Sequence, residues 1–247
     1  MRCLAFAARN RKEILRDPLS LAFGLGFPLV LILLISLMQR NIVGMPTDIF
    51  GIENFAPGMA VFGLSFLSLF LGMLMANDRS TSFLMRLFAS PLRSFDYILG
   101  YSLPLLPLGL VQGLCCFLAA ACFGLRLNVH ILLALLVLVP VGALFISFGL
   151  LLGSQLTYGQ VGGVASILVN VAAWLSGTWF PLEMSGGAFR TICNLLPFVH
   201  AVEAVQAALQ GQYAVILAHL AWVIGYAALV FLLATVLFRR KMYGDKA

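Results

Sequence analysis

The sequence predicts an all-α integral membrane protein. Six transmembrane helices are expected, with an N-terminal interfacial helix and an outer re-entrant helical hairpin between spans five and six. Three observations predict this. The 247-residue chain is 62% hydrophobic and 10% charged, whereas a soluble domain carries about 25% charged residues. Its 15 basic and 9 acidic side chains are too few to coat a water-soluble globule of this size. The apolar residues gather in uncharged runs of spanning length, and the basic residues between those runs alternate between rich and poor segments. The net charge of +6 therefore reads as membrane topology rather than as a nucleic-acid stripe.

Residues 1–17 form the expected interfacial helix. At 100° per residue Cys3, Leu4, Ala7, Ala8, Ile14 and Leu15 fall on one side. Arg2, Arg9, Lys12, Glu13 and Arg16 fall on the other, with Arg11 the exception. Asp17-Pro18 ends this helix. A basic amphipathic helix directly before a span lies in the membrane interface. It serves either as a topology anchor or as a docking element.

A spanning helix needs about 20 predominantly apolar residues. Leu19–Met38, Phe55–Ala76 and Tyr97–Leu125 each meet this without one charge. Residues 127–182 lack Lys, Arg, Asp and Glu altogether, which is too long for one span. The break falls at the polar cluster Ser154–Gln160, giving Val129–Gly153 and Val161–Phe180. The sixth span is Ala214–Phe238. Pro28, Pro104, Pro107 and Pro140 each remove a helix hydrogen bond and are expected to kink their spans. Leu19–Met38 exceeds a signal-peptide apolar region, and no small-x-small cleavage site follows it, so it is expected to persist as a helix. The whole chain, 1–247, reads as one transmembrane domain without a separate soluble domain.

With a cytoplasmic N-terminus the basic residues sort by side. Arg2, Arg9, Arg11, Lys12, Arg16, Arg79, Arg86, Arg93, Arg239, Arg240, Lys241 and Lys246 fall inside. Arg40, Arg126 and Arg190 fall outside. That bias fits six spans with both termini cytoplasmic in a plasma (inner) membrane.

Two non-spanning segments carry further information. In the inner segment 77–93, Phe83, Leu84, Leu87 and Phe88 share a helical face and Arg79, Ser82 and Arg86 another, until Pro91 stops the helix. Such a helix needs lipid headgroups or a protein to cover its apolar side. The outer segment 181–213, opened by Pro181, is long for a connector. Two short helices meeting at Leu196-Pro197 would satisfy their own backbone while dipping into the outer leaflet.

These segments resemble the type-2 (ABC-2) ABC transporter permeases. The inner loop places acidic Asp78 before Arg79-Ser80-Thr81 and closes on Ser90-Pro91-Leu92, ahead of Gly100. The run Leu175-Ser176-Gly177-Thr178-Trp179-Phe180-Pro181-Leu182-Glu183-Met184 precedes Leu195-Leu196-Pro197-Phe198-Val199-His200-Ala201-Val202-Glu203-Ala204. The family pattern is a small residue, Gly, any residue, two aromatics and Pro, then a hydrophobic-Pro segment and an acidic residue. Ser80 stands where many members carry Gly, and Gln206 where many carry Arg. The resemblance covers essentially the whole chain. It implies two permeases, a second copy or a paralogue, joined to two ATPase subunits.

No phosphate-binding G-x-x-x-x-G-K-[ST] loop occurs in the sequence. The resemblance therefore puts ATP and Mg on a separate cytoplasmic ABC ATPase, with no catalytic residue and no cofactor on this chain. Phe83, Leu84, Leu87 and Phe88 would fill its groove, with Arg79 and Arg86 at the rim and Pro91 ending the coupling helix. Two spans look like pathway walls: Phe62, Phe66 and Phe70 in the second, and Gly162, Ser166, Asn170 and either Ala173 or Trp174 in the fifth. Gly109/Gly113, Gly149/Gly153 and Gly159/Gly163 form G-x-x-x-G pairs that permit close helix approach. A mostly apolar cavity suits hydrophobic or amphipathic cargo such as drugs, antibiotics or lipids, hence a multidrug-efflux type of exporter.

The spans hold no mid-membrane carboxylate, which argues against the competing class of stand-alone secondary carrier. Nor does a nucleophile and base at depth support a membrane-embedded enzyme. Pro197, His200 and Glu203 mark the outer segment. His200 and Glu203, three apart, can pair, but two ligands make no metal site. His130 and His219 are expected to be satisfied or solvated near the outer span ends. The five cysteines show no metal or disulfide spacing and read as small apolar fillers.

Overall fold

The computed structural model describes residues 2–42, 50–81, 94–180 and 187–244. Among these, all regular structure is helical, and six helices are long and apolar enough to cross a membrane. Helix α1 is Arg2–Leu15. The spans are α2, Pro18–Asn41; α3, Ile52–Ser80; Asp96–Ala121; α6, His130–Gln155; α7, Tyr158–Leu175; and Tyr213–Arg240. The third span consists of α4, Ser94–Ser102, and α5, Leu105–Ala121. Two short helices, α8 (Ala188–Leu195) and α9 (Pro197–Gln210), precede the last helix, α10 (Tyr213–Gly244).

Each expected span is present, and the expected break at Ser154–Gln160 is a two-residue turn, Leu156-Thr157. The Thr157 N–H donates to Gln160 Oε1 at 3.1 Å, tying off the start of α7. The prolines act differently from one another. Pro104 separates α4 from α5. Pro107 sits in the first turn of α5, where its missing N–H has no helical partner to lose. Pro28 follows a π turn over Ala22–Gly26, which widens the helix around Gly24, the residue whose carbonyl the proline ring would strike. Pro140 lies inside an uninterrupted α6.

Helix α3 is the centre of the bundle: its most apolar window is 78% buried, against 17% for α10. Backbone contact with α6 places it there. A Cβ on Gly149 would lie 2.9 Å from the Ser68 carbonyl oxygen, and one on Gly153 would lie 2.8 Å from that of Gly72. Gly109 and Gly113 similarly admit Leu64 and Leu138. The third pair, Gly159 and Gly163, has nothing within 4 Å of where a Cβ would be.

The buried face of α1 is Phe6, Ala7, Asn10 and Ile14, rotated from the apolar side that periodicity selects, while Leu4 and Leu15 stay exposed. The reason is one glycine. The Phe6 ring lies on Gly100 and meets Tyr97 and Tyr101 edge-on, at 6.0 and 4.9 Å between centroids. Asn10 Nδ2 then donates to the Gly100 carbonyl at 3.0 Å.

Candidate functional site

Three groups of side chains stand out, one at the α1 end of the bundle, one along its flank and one at the opposite end. The first surrounds the last turn of α3. Asp78 is 1% exposed. Its carboxylate accepts from Arg9 Nη1 and Nη2 at 2.6 and 2.9 Å and from the Tyr101 hydroxyl at 2.9 Å. Arg9 also pairs with Glu13 at 2.8 Å. A buried carboxylate is tolerated here because three charge-assisted or hydroxyl donors converge on it. The next residue, Arg79, points elsewhere. Its guanidinium donates to the Gly153 carbonyl at 2.7 Å and the Leu156 carbonyl at 3.4 Å, capping the C-terminus of α6. Consecutive residues thus fasten the end of α3 to α1 and α4 on one side and to the α6–α7 turn on the other.

This double fastening sits directly before segment 82–93. Phe83, Leu84, Arg86, Leu87, Phe88 and Pro91 of the expected coupling segment lie outside the described residues, as does Pro181 of the outer segment. Arg79 is described, and it donates to the Gly153 and Leu156 carbonyls. Arg9, Asn10 and Tyr101 were hidden from sequence reading, since Arg9 and Asp78 are separated by 69 positions. The visible signal was a carboxylate at the very end of a span, with a tyrosine at the start of the next.

Beside this junction lies a cleft of about 170 Å³ between α1, α2, α3 and α7. Glu13, Asp17, Asn77 and Tyr158 supply its polar lining, and Phe70, Met73 and Leu74 its apolar lining. Asp17 caps α2, accepting from the Leu19 and Ser20 N–H groups at 3.2 Å each and from the Ser20 hydroxyl. The Ser20 hydroxyl, helped by those two amides, holds the Asp17 carboxyl below its ordinary range against the opposing effect of burial.

The flank contains the expected pathway residues, and the structure divides them. Phe62, Phe66 and Phe70 do form a continuous stripe, with neighbouring centroids 5.4 and 6.2 Å apart. Phe27 of α2 covers it at 5.9 and 6.4 Å, and Val169 of α7 joins the cluster, so Phe66 and Phe70 are buried. Ser166, Asn170 and Trp174 instead lie on the exposed face of α7; Ala173 belongs to the buried one. Asn170 Nδ2 donates to the Ser166 carbonyl at 2.8 Å, and Ser166 Oγ to that of Gly162 at 2.7 Å. Among the described residues the stripe and the exposed α7 face thus have different surroundings, while Phe62 and Ala173 line one small pocket.

At the opposite end, α8 and α9 are bent by 74° at Leu196-Pro197. Leu196 is extended (φ −93°, ψ 153°), as a residue before proline prefers. Helix α9 is held from below by Phe198, stacked on Phe145 and Phe148, and from the side by Gln206 Nε2, which donates to Asn54 Oδ1 at 2.6 Å. His219, expected to be satisfied or solvated near the outer end of its span, meets the His200–Glu203 pair. His200 Nδ1 and His219 Nδ1 are 2.8 Å apart, and Glu203 Oε2 is 3.2 Å from His219 Nδ1 and 3.7 Å from His200 Nδ1.

Six apolar spans, five of them arranged around the buried α3, with ionic and hydrogen-bonded fastening at the ends, define a multi-pass helical membrane protein. The sequence model of the family described as "ABC-2 type transporter" matches residues 1–209, and the chain belongs to that family of transport membrane proteins. It is similar to Nodulation protein J of Rhizobium meliloti (strain 1021), 27% identical over 125 residues, which are 50% of this chain and 48% of that protein. Nodulation protein J of Rhizobium leguminosarum bv. viciae is likewise 27% identical over 127 residues, 51% of this chain and 49% of that protein. The matched stretch spans about half the length of these curated relatives.

Proposed function

We propose that this chain is the membrane-spanning permease of an ATP-driven exporter, in which a separate cytoplasmic ABC ATPase binds ATP and Mg and delivers force through segment 82–93. The observation that carries this reading is the double fastening at the end of α3. A load applied to the following segment reaches α1 and α4 through Asp78 and the α6–α7 turn through Arg79. Two adjacent residues thus distribute one local push over most of that end of the bundle. In this reading both termini are cytoplasmic, α1 lies in the inner interface, and α8–α9 form the re-entrant pair of the outer leaflet.

The cargo we infer is hydrophobic or amphipathic. The half-open cleft supports it, with carboxylates and Tyr158 beside an apolar wall ending in Phe70. So does the α7 face, whose open glycines and Ser166, Asn170 and Trp174 suit close approach of a second permease copy. The Phe stripe would then form one edge of a pathway that opens when α2 and α7 part.

Affinity purification of the intact complex from native membranes, followed by ATPase assays against a compound panel, tests the reading. An ABC ATPase should copurify in stoichiometric amount, and Leu84→Asp should abolish coupled export while the spans still insert. Transport by the purified chain alone in liposomes, or unchanged export by Leu84→Asp, would overturn it.

A further inference from the structure

The meeting of His200, Glu203 and His219 has no part in the reading above. We propose that it is a binding site for a divalent transition-metal ion of the zinc class, bridging α9 to α10. The donor atoms His200 Nδ1, His219 Nδ1 and Glu203 Oε2 form a triangle with edges of 2.8, 3.2 and 3.7 Å. Zinc binds imidazole nitrogen at about 2.0–2.1 Å, so two ligands of a tetrahedral ion lie about 3.3 Å apart. The three edges bracket that value, so an ion needs only small side-chain shifts to touch all three atoms.

The surroundings prepare the donors. His200 Nε2 lies 2.9 Å from the Asn194 carbonyl oxygen, which can only accept, so Nε2 carries the hydrogen and Nδ1 of the neutral ring presents its lone pair to the cluster. Trp222 stacks on the His200 ring at 5.2 Å and fixes its plane, and Tyr226 extends the stack at 6.1 Å. Tyr226 in turn donates to the Leu195 carbonyl at 2.7 Å, holding the bend between α8 and α9 against α10. The His200 side chain is 11% exposed and that of His219 21%, while Glu203 at 43% leaves one side open for entry and for a water as fourth ligand. Two imidazoles and a carboxylate are a donor set suited to zinc and its neighbours rather than to calcium or magnesium. Because the ligands come from two helices, the ion would staple α9 to the last span.

The chain has three histidines, so the test is clean. Full-length protein carrying a tag without histidines is stripped with chelator in detergent and titrated with ZnCl2. Bound metal is counted, and Co²⁺ is used separately to read coordination by its visible absorption. One ion per chain is expected, with a tetrahedral cobalt spectrum and a zinc-dependent rise in melting temperature. His200→Gln and His219→Gln should each weaken binding by at least about 100-fold, the upper end of the effect of losing a mere supporting partner. Glu203→Gln, altered at a half-exposed position, should weaken it too, and His130→Gln should leave it unchanged. Wild-type protein that takes up no zinc at micromolar concentration would overturn the proposal whatever the variants do. So would unaltered binding in folded His219→Gln or loss of binding in His130→Gln. None of these readouts depends on transport.

Discussion

Asp78 is the residue on which the α1 end of the molecule turns. Removing one member of a buried ion pair costs about 3–5 kcal/mol, because the other charge is left uncompensated. Here Arg9 retains about a third of its side-chain exposure and a second partner in Glu13, so the loss should be smaller. We expect Asp78→Ala to destabilise the protein by about 2–3 kcal/mol and to release α1, seen as faster hydrogen exchange in residues 6–14. Tyr101→Phe should produce a milder form of the same effect, about 1 kcal/mol for one hydrogen bond. Gln112 offers the opposite case. Among the described residues its Oε1 is the buried side-chain oxygen or nitrogen without a partner, while its Nε2 is 3.2 Å from Cys116 Sγ. Leaving such a group buried costs about 1–3 kcal/mol. Gln112→Met, similar in volume, should therefore raise the thermal stability of the purified protein.

At the scale of elements, caps and glycines decide how helices begin and how closely they pack. The Asp17 carboxylate starts α2, and its lowered pKa fixes the sign of a pH effect. A carboxyl lowered on folding stabilises fully above its unfolded value, and that contribution disappears as pH falls through the folded one. Protection of the Leu19 and Ser20 amides, taken relative to their intrinsic exchange at each pH, should thus hold constant down to about pH 4 and fall below it. Asp17→Ala should remove the dependence and cost about 0.5–2 kcal/mol, the ordinary worth of an N-cap. Between α3 and α6 the contact is backbone to backbone at Gly72, Gly149 and Gly153. Gly153→Leu must push the helices apart and dislodge the carbonyl that Arg79 grips. The expected result is loss of folded protein in fluorescence-detected size exclusion. Gly163→Leu, placed where nothing lies within 4 Å, should fold normally and disturb only the proposed pairing with a second copy.

For the whole molecule the open face of α7 is the informative surface. Single cysteines at Ser166 and Asn170 should cross-link between copies in native membranes if that face meets its counterpart. Controls at Leu217 or Leu232, exposed on α10, should not. If the chain is the proposed exporter subunit, Phe66→Ala and Asn170→Ala should each change which compounds are exported while the proposed complex still assembles. An identical compound profile would mean that these positions only pack.

The sequence by itself determined the number of spans, their limits to within a few residues, the break near Leu156 and the bend at Leu196-Pro197. These follow from short-range physics: the bilayer demands long uncharged helices, and proline or a polar cluster ends them. What only the tertiary structure decided was which residues meet. Arg9 finds Asp78, Arg79 turns back onto α6, the phenylalanine stripe is roofed by Phe27 and Val169, and His219 joins His200 and Glu203. No periodicity encodes those partners. In a chain where nearly every face is apolar, helix rotation is set by where glycines let backbones touch and by where the few buried polar groups find donors.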